Sequence, residues 1–125
     1  MLFHRFASQK ERREFGGSDF VELQLCKGKP NAQWEEIVHW QNNSLYIFGD
    51  DMEEFYAQYK EIFQDGLYPN GERGLVDYCG VTYYTLEQTM YIIEMLKREQ
   101  PRDFQVLLDW LANAEKYDGL YFLGV

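Results

Sequence analysis

The side chains of this 125-residue chain that could supply a nucleophile and its base are Cys26, Cys79, His4 and His39. A catalytic cysteine needs a nearby base and usually an electropositive setting that favours its thiolate. Cys79 lies in "VDYCGVTYYTLEQT", two residues after Asp77, whose negative charge would oppose ionisation of the thiol. Nothing in the spacing links Cys79 to a histidine, so we expect no catalytic residues.

The sequence gives equally little support for a metal site or a phosphate site. The two cysteines and two histidines stand alone, whereas structural zinc ligands usually come in closely spaced local pairs. No glycine-rich loop with a following lysine is present to cradle a phosphate. We therefore expect neither a metal nor a cofactor.

The sequence offers acidic and aromatic residues for binding a protein. The formal net charge is −9, although residues 1–14 carry a net charge of +2. Such a chain repels nucleic acid and attracts a basic protein partner. Tyrosine and tryptophan are common anchors of protein interfaces. From "QWEEIVHW" and "GDDMEEFYAQY" we predict the partner-binding residues Trp34, Glu35, Glu36, Trp40, Asp50, Asp51, Glu53 and Glu54.

The alternative is a small ligand-binding domain or enzyme with a pocket between sheet and helices. Its predicted lining residues are His39, Cys79, Tyr83 and Tyr84. Aromatic rings with polar tips also serve simply to complete a core. The sequence leaves these readings open, together with the oligomeric state.

The first half of the chain predicts strands. Residues 2–6 fit an edge strand or a loose arm, and residues 9–19, which are polar and contain Gly16-Gly17, fit a loop. The alternation from Phe20 to Cys26 predicts a strand. Residues 34–40 and 45–48 predict a hairpin around Asn42-Asn43.

The second half predicts helices between strands. Apolar residues recur at helical spacing from Asp50 to Phe63, with Asp50 or Asp51 as the N-terminal cap. Residues 64–74 fit a loop and 75–84 one or two strands. Thr85 and Gln88 form a capping box before a second helix, and a third carries a stripe from Phe104 to Ala112. Residues 120–125 predict a strand buried on both faces.

These elements predict one domain over residues 1–125. The order β-β-β-α-β-α-α-β indicates an α+β fold, a mostly antiparallel sheet with about three helices packed on one face. No apolar run reaches the length of a membrane span, and the N-terminus lacks the apolar core of a signal peptide. With two cysteines, this predicts a cytoplasmic protein.

In general character the chain resembles the immunity proteins of bacterial toxin–immunity systems. The likeness rests on its small size, acidity, aromatic content and α+β pattern, including "GVTYYTLEQT" and "LANAEKYDGLYFLGV". It implies a non-enzymatic protein that binds and neutralises a basic, nuclease-like toxin. No residue role follows from it, because no diagnostic motif is involved.

Overall fold

The computed structural model of the chain describes residues 1–16, 19–27 and 40–124. Its helices are α1 Gln9–Phe15, α2 Met52–Tyr59, α3 Leu86–Glu99 and α4 Phe104–Trp110, with 3-10 helices at Gly49–Asp51 and Leu111–Lys116. Its strands are β1 Phe20–Leu25, β2 Leu45–Phe48, β3 Gly66–Leu67, β4 Arg73–Gly74, β5 Val81–Thr85 and β6 Gly119–Leu123. The predicted α+β class is confirmed.

The six strands form one sheet in the order β2-β1-β6-β5-β3-β4, and each neighbouring pair is antiparallel. Strand β6 lies in the middle, where Phe122 is opposite Leu23 of β1 on one side and Thr82 of β5 on the other. Four of its five residues are buried. This confirms the prediction that the final strand is covered on both faces.

Helices α2, α3 and α4 pack on one face of the sheet and enclose the main core. The strands contribute alternate residues to it, such as Val21 and Leu23 of β1 and Phe122 of β6. The helices contribute the buried side chains of their apolar stripes, which are Met52, Phe55, Tyr59, Ile92, Met95, Leu96, Leu107 and Trp110. The predicted helical face of residues 50–63 is therefore buried, although α2 ends at Tyr59.

A second, smaller cluster covers the opposite face of β1 and β2. It contains Phe6, Phe20 and Tyr46, and Trp40 packs against it. The guanidinium of Arg12 lies 5.6–5.9 Å from the ring centres of Phe20, Trp40 and Tyr46. These cation–π contacts hold helix α1 against the sheet.

Helix α1 corrects the prediction of a loop over residues 9–19. Ser8 caps it by accepting a hydrogen bond from the amide of Glu11 at 3.1 Å, and the Glu11 carboxylate accepts one from the amide of Ala7. This arrangement is close to a capping box. The helix has no buried residue, so it shows no apolar stripe by which the sequence could reveal it.

Several other boundaries differ from the prediction. His4 exchanges backbone hydrogen bonds with Tyr46, which places residues 2–6 beside β2 at the edge of the sheet. Strand β2 pairs with β1, and the predicted first arm of its hairpin falls mostly in residues 28–39, outside the described part. Residues 64–74 contain the two-residue strands β3 and β4. Among the described side chains, none makes a capping hydrogen bond at the start of α2.

The predicted start of α3 is confirmed in detail. The hydroxyl of Thr85 accepts a hydrogen bond from the amide of Gln88 at 3.0 Å, and the Gln88 side chain accepts one from the amide of Thr85 at 2.9 Å. None of the helices in the described residues combines the length and apolar character needed to cross a membrane.

The carboxylate of Glu22 is buried on the face of β1 opposite the main core, with 2% of the residue exposed. It accepts hydrogen bonds from the amide of Trp40 at 2.7 Å, the hydroxyl of Ser44 at 2.6 Å and the side-chain amide of Gln24 at 2.7 Å. A buried carboxylate is tolerated only when such donors replace water. Glu22 thereby fastens the turn before β2 to the middle of β1.

We predict that Glu22→Gln destabilises the fold by about 2–3 kcal/mol, because an amide NH2 would then face some of the donors that the carboxylate satisfies. Urea denaturation followed by tryptophan fluorescence measures this change. The exposed control Glu53→Gln should shift the free energy of unfolding by less than about 0.5 kcal/mol. Equal effects of the two substitutions would contradict the role of Glu22.

Candidate functional site

The predicted partner-binding residues fall into three groups in the structure. Trp34, Glu35 and Glu36 lie outside the described residues. Trp40 is half-buried, and its ring stacks on Tyr46 with 5.4 Å between ring centres. Trp40 therefore helps to cover the sheet, and its contribution to partner binding stays a prediction.

The third group is the set of four carboxylates at the start of α2. Asp50 and Glu53 are exposed and Asp51 is half-buried. Glu54 forms an ion pair with Arg102 at 3.1 Å. The structure thus presents Asp50 and Glu53 to solvent most directly, while Glu54 links α2 to the segment before α4.

The predicted ligand pocket does not assemble from its described members. Tyr84 points into the main core, where its hydroxyl donates to the carbonyl of Phe63 at 3.3 Å. Tyr83 points to the opposite face, packs on Tyr121 and donates to the carbonyl of Asp118 at 2.7 Å. Neighbouring residues of a strand face opposite ways, so the two tyrosines cannot line one cavity. His39 lies outside the described residues.

A groove of about 840 Å³ does lie beside Tyr84, at the start of α3. Its lining residues are Ile62, Gln64, Asp65, Arg73, Tyr84, Thr85, Glu87, Gln88, Tyr91 and Ile92. Neither Cys79 nor Tyr83 is among them. Arg73 and Gln88 both donate to the carbonyl of Asp65, at 3.0 and 2.9 Å, so these polar groups already serve to fix the loop before β3.

A different surface brings acidic and aromatic side chains together. We call it the acidic tyrosine surface and define it by Asp19, Asp50, Glu53, Tyr56, Tyr68, Glu72, Leu75, Asp77 and Tyr78. The five carboxylate residues are exposed, the three tyrosines are half-buried, and Leu75 is 46% exposed. This combination of tyrosine, apolar side chain and acid is typical of a protein-binding patch.

The hydroxyl groups of two tyrosines hold this surface together. Tyr56 of α2 donates to the carbonyl of Val76 at 2.7 Å, and Tyr68 donates to the carbonyl of Leu75. Both bonds tie the segment between β4 and β5 to neighbouring elements. At the other end, the hydroxyl of Tyr78 lies so close to Gly49 that a side chain there would clash with it. The amide of Gly49 donates to the carbonyl of Asp19 at 2.7 Å, which places Asp19 close in space to the segment that carries Asp50.

The electrostatics of the surface are negative. Burial raises the pKa of Tyr56, and the nearby charge of Asp77 raises it further. The pKa of Tyr68 is raised by burial and then by Asp77 and Glu72. Glu53 precedes Tyr56 by one helical turn, whereas Lys60 follows it by one turn and adds a positive charge at the margin. The tyrosine hydroxyls remain hydrogen-bond donors under a predominantly negative field.

The two described cysteines have opposite surroundings. Cys26 is buried, and burial together with the charge of Asp118 raises the pKa of its thiol to about 12. Cys79 is exposed in the turn before β5, where its amide donates to the Asp77 carboxylate at 2.9 Å. Among the described residues, no three His, Cys, Asp or Glu side chains are arranged to hold a metal ion.

Comparison with protein-family models, curated proteins and solved structures finds no match to this chain.

We predict that native protein reacts rapidly with Ellman's reagent at one thiol and that a second thiol reacts only in guanidinium chloride. Cys79 is exposed, whereas Cys26 is buried and holds its proton. The variant Cys79→Ser should lose the rapid phase, and Cys26→Ala should keep it. Two rapid thiols in the native protein would contradict this placement of Cys26.

Because the thiol of Cys26 is buried, we also predict that the free energy of unfolding decreases at alkaline pH. Its native pKa lies above its ordinary value of 9.0, so the folded state holds the proton while the unfolded state releases it. The contribution of the protonated Cys26 thiol to stability is fully present below pH 9 and is lost as pH rises toward 12. Between pH 9 and 10 we expect Cys26→Ala to lose about 1 kcal/mol less stability than the parent chain, as measured by urea denaturation at each pH.

Proposed function

We propose that this chain is a non-enzymatic binding protein that captures and neutralises a basic protein, in the manner of an immunity protein against a nuclease-like toxin. The observation that carries the proposal is the acidic tyrosine surface. It presents five exposed carboxylate residues around three half-buried tyrosines and Leu75. The net charge of −9 acts in the same direction.

Recognition would proceed in two physical steps. The negative field first steers a basic partner toward the surface and raises the rate of encounter, an effect that salt screens. The rings of Tyr56, Tyr68 and Tyr78 then provide apolar contact area. The first two are fixed by hydroxyl bonds to main-chain carbonyls, so little side-chain freedom is lost on binding.

Neutralisation follows from the kind of charge that the surface displays. A nuclease uses Lys and Arg side chains to hold the phosphates of its substrate. Carboxylates spaced over a protein surface satisfy the same cationic groups, and the bound protein occupies the place of the nucleic acid. This proposal requires no reaction at Cys79 and no metal.

The test begins with purification of the partner on the immobilised chain from its native host and identification of that partner by mass spectrometry. Calorimetry with the purified partner should then show affinity that falls at least tenfold between about 50 and about 300 mM NaCl. We expect Glu53→Gln/Glu72→Gln to weaken binding about fivefold or more at low salt.

The matched control for this pair is Glu87→Gln/Glu99→Gln, which removes the same charge from exposed positions of α3, outside the acidic tyrosine surface. It should leave affinity within about twofold. A partner whose affinity is independent of salt, or equal losses with both pairs, would count against the acidic tyrosine surface as the binding site.

A further inference from the structure

A second surface lies on the outer side of the helical layer, where α3 meets α4 and the 3-10 helix after it. It is a groove of about 480 Å³, which we call the α3–α4 groove. Its lining residues are Met90, Ile93, Glu94, Lys97, Gln105, Leu108, Asp109, Leu111, Ala112 and Glu115. None of them belongs to the acidic tyrosine surface.

The floor of the α3–α4 groove is apolar. Met90, Ile93 and Leu108 are half-buried and pack against the main core, and Leu111 is buried beneath them. Each half-buried side chain leaves part of its apolar surface in contact with water. Burial of that remaining surface is the energy available to a ligand.

The rim of the groove is acidic. Glu94, Asp109 and Glu115 are exposed and face one cation, Lys97. Lys97 lies 3.8 Å from Glu94, so the positive charge is already paired within the rim. Asp109 accepts a hydrogen bond from the side chain of Gln105 at 2.8 Å, and its negative charge is retained. Asp109 in α4 and Glu115 in the 3-10 helix therefore carry the net negative charge of the rim, which favours a ligand with positive charges along that side of an apolar stripe.

The walls of the groove restrict the ligand's backbone. Both walls are helical, so their main-chain donors and acceptors are largely used within the helices themselves. An extended peptide would bury unpaired backbone groups on the apolar floor, at considerable cost. A helix satisfies its own backbone bonds and can present apolar side chains at positions i, i+3 and i+4.

We propose that the α3–α4 groove is a docking site for an amphipathic helix of a partner protein. Its apolar residues would lie toward Met90, Ile93 and Leu108, and its lysine or arginine residues toward Asp109 and Glu115. A second copy of the same face is disfavoured, because two acidic rims would repel each other. The site is separate from the acidic tyrosine surface and takes its ligand whether or not that surface binds a partner.

The test uses a synthetic helical peptide of about 14 residues in which leucines form one face and lysines the other. The protein is labelled with carbon-13 at its methionine and isoleucine methyl groups, and the peptide is titrated in by NMR. We expect the methyl signals of Met90 and Ile93 to shift together and to saturate. Those of Met52 and Ile62, which belong to the core under α2, should not move.

Two control peptides separate the proposed chemistry from general stickiness. A peptide of the same composition with strictly alternating leucine and lysine should bind at least about tenfold more weakly, because it cannot form the apolar helical face. A peptide with glutamate in place of lysine should show no saturable shift. Equal binding of all three peptides, or shifts at Ile62 and Ile92 beside the larger groove, would overturn the proposal.

Substitutions provide an independent measurement. Asp109→Lys/Glu115→Lys reverses two exposed rim charges and should weaken peptide binding about tenfold at low salt. The control Glu53→Lys/Glu72→Lys makes the same change in net charge on the acidic tyrosine surface and should weaken it about threefold at most. If the control weakened peptide binding as much as the rim variant does, overall charge and not the groove would attract the peptide. Such a result would leave the function proposed for the acidic tyrosine surface standing.

Discussion

Burial of both faces of the central sheet is the constraint on which the rest of the structure depends. All six residues of β1 are buried. Its side chains therefore alternate between the main core on one face and the smaller cluster on the other, and none faces solvent. Val21 and Leu23 face the helical layer, whereas Glu22 lies on the other side. A carboxylate in that position needs donors, and the turn that carries Trp40 and Ser44 supplies them. Among the described residues, β1 therefore offers no exposed side chain to a partner, and the two surfaces proposed above are built from connecting segments and helices.

Much of the fold follows from local sequence because local forces determine it. Helical periodicity identified the buried stripe of α2 and Leu107 of α4, but it did not place Ile92 and Met95 on the buried face of α3. The Thr85–Gln88 capping box marked the first residue of α3. Helix α1 was not predicted, because none of its seven residues is buried and its sequence therefore has no apolar stripe. The position of β6 between β1 and β5 could not be predicted from the sequence either, because strands so far apart in the chain leave no local signal of their pairing.

The candidate site was less predictable than the fold for a related reason. Charge alone drew attention to Asp50 and Glu53, and both are exposed. Tyr56 shares the helical stripe of the core, so the sequence could not show that its hydroxyl reaches the carbonyl of Val76. Tyr83 and Tyr84 were predicted to line one pocket, but as neighbours in β5 they point to opposite faces of the sheet. Surfaces built from loops depend on such tertiary contacts, and these contacts leave no periodic pattern in the sequence.

The central position of β6 has a consequence for the synthesis of the protein. Strands β1 and β5 leave the ribosome well before residues 119–123, and each then exposes an unpaired edge that β6 later covers. Exposed edges can pair with other chains, so a nascent polypeptide is most prone to aggregation during this interval. The central pairings of the sheet therefore form only after the residues of α2, α3 and α4 have been made.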